Sequence, residues 1–364
     1  MIAIRRCPGM AGAALAALGL LAGCGHGYGA PPLSQTAGVA IDENVSPHKV
    51  HVEIRQNTSP GQLVGIAVSP TGVPWFADIT NSAIGFEAKP GSFTEFKLSN
   101  GGQFYPFGVN GFTFMAFYKG DAWFPHNGTN SIGRITPSGA EKDFPIPSAS
   151  AGPNSVVVGP DNAIWFNEFN TGKVGRIAAN GKITEYPLPG LGGSLSLIVG
   201  PDKNLWAGQR TGYFTRFSVK NTVKSMKQFS VEPPACTAFG VTVGKDAAFY
   251  WPCIYGYNGG IGMIRMTTSG GVTSYPLSSQ KGVTVVDPAL ATLGKDGAVW
   301  FTDRNSNYIG RFTTTKVSLY PYRLIHGNGA GNAGAGQIVS APNGDIYFDE
   351  FNTGNVGEII LSDK

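Results

Sequence analysis

The sequence predicts an all-β protein, a seven-bladed β-propeller of four-stranded blades, on three observations. Aromatic residues recur at intervals of 41 to 50 residues within similar surrounding sequence, and a period of about 40–50 residues is typical of propeller blades. Glycine is abundant, at 52 of 364 residues, while charged residues make up only 14%. Short runs rich in Tyr, Phe and Thr alternate with turn residues, and no long stretch has helical periodicity. The recurring aromatic residues are Trp75, Trp123, Trp165, Trp206, Tyr250, Trp300 and Tyr347.

The clearest repeat unit, residues 153–189, divides into four predicted strands. Its first two strands are joined by the turn sequence Gly-Pro-Asp-Asn, and its third begins with Val174-Gly175-Arg176. Asn180-Gly181, a type I′ hairpin signal, leads to the fourth strand, which Pro187 ends because proline cannot donate to a ladder. The recurring aromatic residue is expected to pack between neighbouring blades, where its burial stabilises the fold by about 1.5–3 kcal/mol.

Two blades depart from this pattern, and the last one is incomplete. The blade around Trp206 lacks the Ile-Gly-Arg sequence of the third strand, and the second blade carries an insertion at residues 110–119. The last blade stops after its third strand, at residues 358–361. Residues 51–55 have the alternation of the missing strand, so the N-terminal strand is predicted to complete the seventh blade and close the ring. The propeller domain is predicted to cover residues 48–364.

The first 23 residues are predicted to be a signal peptide, since two arginines precede a short apolar run. This run ends in Leu21-Ala22-Gly23-Cys24, which resembles the bacterial lipoprotein box and predicts lipidation of Cys24. An ordinary cleaved signal is the alternative. Residues 24–47 are predicted to be a flexible tether. The protein is therefore expected in a bacterial cell envelope, in the outer membrane and facing the periplasm, because Gly25 rather than Asp follows the cysteine.

Two cysteines remain in the predicted propeller, Cys236 and Cys253. Export places them in an oxidising compartment, and they flank one predicted hairpin, so they are predicted to form a disulfide. Two free thiols are the alternative. The formal charge of +4 is too small and too scattered to indicate nucleic-acid binding.

Residues 159–189 contain Gly-Pro-Asp-x-x-Ile-Trp-Phe-x-Glu, then Val-Gly-Arg-Ile, then Gly-Lys-Ile-Thr-Glu-Tyr-Pro-Leu-Pro. This text resembles the virginiamycin B lyase (streptogramin lyase) family, and the resemblance extends over nearly the whole predicted propeller. It implies a seven-bladed propeller with the same terminal closure. For active members it also implies linearisation of cyclic depsipeptide antibiotics by elimination across the ester, with a magnesium ion, a histidine general base and glutamates.

The resemblance implies histidines on the sixth and seventh blades, shortly before the blade aromatic residue. Here Ala289, in Asp287-Pro288-Ala289, and Gly336 stand at those positions, and Gly334 stands where an acidic residue is implied. A glutamate after the seventh-blade aromatic residue is retained as Glu350. Because neither alanine nor glycine can abstract a proton, the family's lyase chemistry is predicted to be absent unless another group has taken the role.

In a propeller, the start of each first strand and the end of each second strand open onto one face, around the central funnel. These positions predict an apolar ring with a polar rim, suited to an organic ligand with a polar head. The candidate ligand-binding residues are Asp78, Phe107, His126, Asn154, Glu168, Phe239, Asp303, Arg304 and Glu350.

His126 and Glu350 are the candidate catalytic residues on this face. An exposed rim histidine and loop-capping carboxylates are the structural alternatives. No metal ligand is assigned, because no tight ligand spacing such as an EF-hand loop is present. Mg²⁺ or Ca²⁺ is the cation that the four carboxylates would take.

The sequence thus predicts a monomeric, lipid-anchored propeller that contacts the membrane through its anchor and binds a small molecule or an envelope protein. One alternative is a lyase, or a lactonase-like hydrolase, that acts on a cyclic ester at a rearranged metal site. The other is a structural docking module for an envelope protein.

Overall fold

Seven four-stranded antiparallel sheets make up the second of the two units into which the chain divides, Met1–Gly38 and Val39–Lys364. The structure is a computed structural model, and it describes residues 50–99, 113–190, 192–231, 238–255, 260–277, 285, 287–322 and 334–363. The first unit, the predicted signal peptide and the predicted tether lie outside these ranges. Within them, no helix has the length and apolar character needed to cross a bilayer.

The strands follow one another in sequence order along the chain. The first nine are β1 (Val50–Thr58), β2 (Leu63–Val68), β3 (Pro74–Asp78), β4 (Ala83–Lys89), β5 (Ser92–Lys97), β6 (Ala116–Tyr118), β7 (Asp121–His126), β8 (Ser131–Ile135) and β9 (Glu141–Pro145). The next eight are β10 (Pro153–Val158), β11 (Ile164–Glu168), β12 (Lys173–Ile177), β13 (Ile183–Pro187), β14 (Ser194–Val199), β15 (Leu205–Gln209), β16 (Tyr213–Phe217) and β17 (Lys227–Ser230). The remainder are β18 (Thr242–Val243), β19 (Phe249–Tyr255), β20 (Gly260–Met266), β21 (Val272–Pro276), β22 (Pro288–Leu293), β23 (Val299–Asp303), β24 (Tyr308–Thr313), β25 (Lys316–Pro321), β26 (Ala335–Ser340), β27 (Ile346–Glu350) and β28 (Asn355–Asp363). A 3₁₀ turn, η1, covers Asn127–Thr129.

Blades 1 to 6 each use four consecutive strands, starting with β2 to β5 and ending with β22 to β25. Blade 7 has the order β1-β28-β27-β26, so its outer strand comes from the start of the propeller. β1 pairs with β28 from Val50↔Asp363 to Thr58↔Asn355. The predicted closure of the ring is confirmed, and so is the seven-bladed all-β fold.

The second strand of a blade packs against both neighbouring blades, because successive side chains point to opposite faces of a sheet. In blade 3, Trp165 lies in a cluster with Leu205 and Phe217 of blade 4. The next residue, Phe166, lies in a cluster with Ile132 of blade 2. The expected packing of the recurring aromatic residue between blades is confirmed.

The repeated glycine of the third strand makes room for that phenylalanine ring. A Cβ added at Gly175 would lie 2.0 Å from Phe166, and one at Gly310 would lie 2.0 Å from the phenylalanine of blade 6. In blade 4 the same two positions are Ala207 and Thr215, which pair in register. The larger side chain of the pair is therefore on the third strand in blade 4, whereas it is on the second strand in blade 3.

Polar side chains on the second strands connect neighbouring blades. Asn167 Oδ1 accepts a hydrogen bond from Ser155 N at 2.8 Å, and its Nδ2 donates to Ser194 O of blade 4 at 2.6 Å. In blade 7 the same position is Asp349, whose Oδ1 accepts from Gln337 N at 2.6 Å. Burial raises the pKa of the Asp349 carboxyl to about 7. The protonated carboxyl therefore resembles the amide that blade 3 uses.

Two phenylalanine rings meet across the propeller axis. Phe114 precedes β6 of blade 2, and Phe239 precedes β18 of blade 5; their centroids are 5.6 Å apart in an edge-to-face arrangement. Both rings also pack against a cluster that contains Leu290 of blade 6 and Ile338 of blade 7. Because blades 2 and 5 are not neighbours, this contact spans the centre of the ring.

We expect Asp349→Asn to stabilise the protein at pH 8 and to have little effect near pH 4. An acid whose pKa is raised by folding contributes stability that is fully present below its unfolded pKa, about 4, and is lost as pH rises to about 7. The loss for one group is at most about 1.4 kcal/mol per pH unit, and the asparagine variant removes it. Urea unfolding between pH 4 and pH 8 measures the effect.

The exposed Glu53→Gln is the control for Asp349→Asn, and it should leave this pH dependence unchanged. An Asp349→Asn variant that is less stable than the wild type at pH 8 would contradict the assignment of a protonated carboxyl.

Candidate functional site

The inner strands of five blades carry a bulge at the end that opens onto the candidate face. Their pairing with the second strand shifts register after the first residue of β2, β10, β14, β22 and β26. Bulges redirect side chains and are common beside functional sites. These bulges include Val64, Asn154, Leu195, Ala289 and Gly336, which lie at the starts of the first strands, where the apolar ring is predicted.

All five of these ring residues are buried. Asn154 is the polar member; its Nδ2 donates to Leu195 O at 3.4 Å, and its Oδ1 has no hydrogen-bond partner among the described residues. Ala289 and Gly336 have no group that can act as a base. The ring that the structure describes is therefore apolar except at Asn154.

The predicted polar rim is buried as well, which sequence patterning did not anticipate. Asp78, His126, Glu168 and Glu350 are each 0% exposed, and Asp303 is 1% exposed. Their polar atoms are used by the turn that follows. Asp78 Oδ1, for example, accepts from the backbone N–H groups of the residues two and three positions later, at 2.8 and 3.0 Å.

The second-strand side chains also face a partner on the fourth strand of the same blade, and this partner pairs with the small residue of the third strand. His126 Nδ1 lies 2.9 Å from Asp143 Oδ1. Gln228 Nε2 donates to Gln209 Oε1 at 3.0 Å. The remaining pairs are Asp78 with Glu95, Glu168 with Glu185, and Glu350 with Gln56. The pairing recurs in blades of different chemistry, and this indicates a structural role.

Burial makes the acidic pairs hold a proton near neutral pH. Burial raises the pKa of Glu95 to about 7, and the neighbouring Asp78 adds to the shift. Burial also raises the pKa of Glu168 to about 7; Glu185 adds to this shift and the Thr171 hydroxyl opposes it. The pKa of Glu350 is raised by burial, against donors that include Thr353 at 2.5 Å. These groups are poor ligands for a hard cation while they are protonated.

One group of side chains has the geometry of a metal site within the described ranges. His126, Glu141 and Asp143 each offer a ligand atom, and these atoms lie within 4.8 Å of one another. Glu141 Oε2 also accepts from Ser99 N at 2.8 Å and Ser99 Oγ at 3.0 Å. The carboxylates of Asp78, Glu168, Asp303 and Glu350 belong to different blades and form no such group there.

The accessible part of this face is formed by the residues that follow the second strands. Phe169, Arg304 and Phe351 are partly exposed, and Arg210 is exposed. Arg304 donates to Asp287 Oδ1 at 2.9 Å. Among the described residues, these exposed positions are aromatic or cationic, with Arg304 paired to Asp287, whereas the carboxylates predicted for the rim are buried.

The predicted site residues therefore fall into three groups. Phe239 and Arg304 are partly exposed, and the other described candidates are buried. The interpretation of His126 as an exposed rim histidine is wrong, because its partner Asp143 and the turn after β7 enclose it. Phe107, Cys24 and Cys236 lie outside the described residues. Cys253 is buried on β19, and the predicted disulfide stays a prediction.

Sequence reasoning missed Asp143, Glu141 and Phe114. A signal for Asp143 existed, because residues 78 and 95, 126 and 143, and 168 and 185 are each separated by 17 positions. This spacing carries a polar side chain from the second strand to the fourth strand of one blade. Phe114 had no such signal, since its partner Phe239 is distant in sequence.

The model of the Virginiamycin B lyase family matches residues 108–281. The selenomethionine-substituted virginiamycin B lyase from Staphylococcus aureus is 25% identical, with a TM-score of 0.71, and the match covers 86% of this chain and 100% of that one. A catalytically inactive histidine-to-alanine variant of the Staphylococcus aureus enzyme with quinupristin is 26% identical, with a TM-score of 0.70 over 86% of this chain and 100% of that one.

A streptogramin B lyase structure is 24% identical, with a TM-score of 0.71 over 85% of this chain and 98% of that one. A comparison with curated proteins gives no match. The predicted resemblance to the virginiamycin B lyase family is confirmed by the family model and by these structures.

Proposed function

We propose that this virginiamycin B lyase-like propeller binds a ligand or partner on its funnel face and does not carry out the family's elimination. The observation that carries the proposal is the pair of bulge positions on blades 6 and 7. The resemblance implies histidines there, but they hold Ala289 and Gly336. An elimination needs a base within hydrogen-bond reach of the abstracted proton, and these residues supply none.

The exposed residues of the face favour a ligand with an apolar body and an anionic or polar group. Phe169, Phe239 and Phe351 offer aromatic surface, and Arg210 and Arg304 offer positive charge. A concave apolar surface with a few polar groups is the usual form of a small-molecule site. The buried carboxylates support the turns that hold these residues.

The Staphylococcus aureus variant with quinupristin supports the distinction between binding and catalysis. That variant is catalytically inactive after one histidine-to-alanine change, and its structure is described as containing quinupristin. In this chain, alanine stands naturally at one of the implied histidine positions. Quinupristin is therefore a suitable probe for both halves of the proposal.

We expect purified protein to bind quinupristin saturably and to give no linear product, measured by calorimetry and by mass spectrometry. Arg304→Ala should weaken binding by roughly tenfold, since a charge-assisted contact contributes about 1.5–3 kcal/mol. Lys182→Ala, an exposed position on the opposite face, is the matched control. Turnover that is lost on His126→Ala or Glu350→Gln would contradict the proposal.

The alternative function is a lyase, or a lactonase-like hydrolase, acting on a cyclic ester at a rearranged metal site. The cluster of His126, Glu141 and Asp143 favours it, because an imidazole and two carboxylates within 4.8 Å can hold a divalent cation. The recurrence of similar pairs in other blades favours a structural role for His126 instead.

Thermal unfolding with added Mg²⁺ or Ca²⁺ separates the two functions. A cation that binds the folded state at 100 times its Kd stabilises it by about 2.7 kcal/mol, a rise of several degrees in Tm. We expect no rise for the wild type. A rise that His126→Gln removes would support the enzyme instead.

We further propose that Cys24 carries a lipid anchor that holds the protein in the bacterial outer membrane, with a monomeric propeller facing the periplasm. The lipoprotein box and the basic, apolar segment before it support this. The same export supports a disulfide between Cys236 and Cys253. Cys24→Ala is expected to move the protein from the membrane fraction to the soluble fraction; retention in the membrane would exclude the anchor.

A further inference from the structure

A recurring carboxylate joins two donors on the face opposite the candidate site. In four blades, an aspartate in the first turn accepts one hydrogen bond from the recurring aromatic residue and one from an arginine Nε on the third strand. The aromatic donor lies at 3.0–3.2 Å and the Nε at 2.5–2.7 Å. The sets are Asp161 with Trp165 and Arg176, Asp202 with Trp206 and Arg216, Asp246 with Tyr250 and Arg265, and Asp296 with Trp300 and Arg311.

Blade 2 keeps both donors and lacks the carboxylate between them. Trp123 and Arg134 pair in the same register as Trp165 and Arg176. The turn before Trp123 is one residue shorter, however, and consists of Lys119 and Gly120 with φ values of 55° and 87°. These values fit a two-residue type I′ hairpin. The shorter turn leaves no position for the aspartate.

Within the described part of the chain, these two donors make no hydrogen bond. Trp123 is 7% exposed, and neither its Nε1 nor Arg134 Nε has a hydrogen-bond partner among the described residues, although both atoms are buried. Asp121 on β7 forms an ion pair with Arg134, its Oδ2 lying 3.4 Å from Nε, but this contact is not a hydrogen bond. A buried donor left unsatisfied costs about 1–3 kcal/mol, so this pair of N–H groups favours an acceptor from outside the chain.

A cavity of about 230 Å³ lies beside these donors, between blades 2 and 3. Its lining includes Lys119 and Lys142 as well as Arg134, against the single negative charge of Asp121. Trp123 stacks on Phe144 with centroids 5.1 Å apart, which gives the cavity an aromatic wall. Tyr118 Oη donates to Asn162 O of blade 3 at 2.6 Å and bridges the two blades at this position. The cavity is positively charged, partly apolar and large enough for a small molecule.

We propose that this cavity binds a small carboxylic acid, whose carboxylate occupies the place of the missing aspartate. One oxygen accepts from Trp123 Nε1 and the other accepts from the Arg134 guanidinium, as Asp161 does in blade 3. The lysines add attraction for the anion, and the body of the ligand packs on Phe144. The site is separate from the funnel face, and it does not depend on the function proposed there.

The indole N–H resonance of Trp123 reports on this site directly. Sodium acetate and sodium benzoate are titrated into ¹⁵N-labelled protein at constant ionic strength, and the resonance is identified by its loss in Trp123→Phe. We expect this signal alone among the six tryptophans to shift saturably, with benzoate binding more tightly than acetate. Arg134→Gln should weaken binding at least tenfold. Arg176→Gln is the matched control and should leave the titration unchanged, because blade 3 has its own aspartate.

A replacement of the turn in blade 2 tests the same proposal, because it gives the chain its own carboxylate at the proposed ligand position. Replacement of Lys119-Gly120 by Pro-Asp-Asn, the turn of blade 3, supplies the missing aspartate and should abolish the acetate and benzoate shifts. If Arg134→Gln does not fold, the more conservative Lys142→Gln should still weaken binding severalfold.

Several results would overturn the proposal. These are the absence of a saturable shift for both acids, an equal shift with chloride, tighter binding of phosphate or sulfate than of either acid, and unchanged binding after the turn replacement.

Discussion

The pairing of β1 with β28 is the interaction on which the rest of the propeller depends. Each blade buries one side of its second strand against the blade before it and the other side against the blade after it, so an open array would leave two apolar faces in water. Nine residue pairs between β1 and β28 remove that problem, and Val52 and Ile54 of β1 pack into the cluster shared by blades 6 and 7. The closure brings together segments about 300 positions apart, at a cost in chain entropy that grows only slowly with length.

Most of the fold could be predicted from the sequence because a propeller repeats the same four-stranded blade with the same local packing. Three features recur from blade to blade in the sequence. They are two adjacent large residues such as Trp165 and Phe166, a small residue such as Gly175 opposite the phenylalanine, and the turn residues. Blade 4 shows that the prediction holds even where the repeat sequence is not conserved between blades. There, Ala207 and Thr215 replace the usual Phe and Gly, and the strands still pair in the same register.

The candidate site was harder to predict, because burial depends on contacts between strands that are distant in sequence. Periodicity alone predicts that a residue at a strand end, such as Glu168, is exposed on the rim. Its true environment is set by Thr171 in the following turn and by Glu185 across the sheet, and together they enclose the carboxyl. The same reasoning fails for His126, whose partner Asp143 lies on another strand of blade 2. The solvent-accessible side chains are instead those one position after the strand end, such as Phe169 and Arg304.

Blade 2 combines several departures from the repeat. It contains the insertion, the histidine–aspartate pair and the shortened turn at Lys119-Gly120. In a repeat protein, a blade that drops a shared interaction loses stability unless something replaces it, and the other blades indicate the chemistry of the replacement.

The aromatic contact between Phe114 and Phe239 affects whether a small molecule can pass along the propeller axis. Among the described residues, these two packed rings occupy the middle of the propeller, on the direct line from one face to the other. We therefore expect the proposed funnel-face site and the proposed cavity between blades 2 and 3 to be occupied independently of each other. Substitutions that remodel one surface can then accumulate without disturbing what the opposite surface recognises.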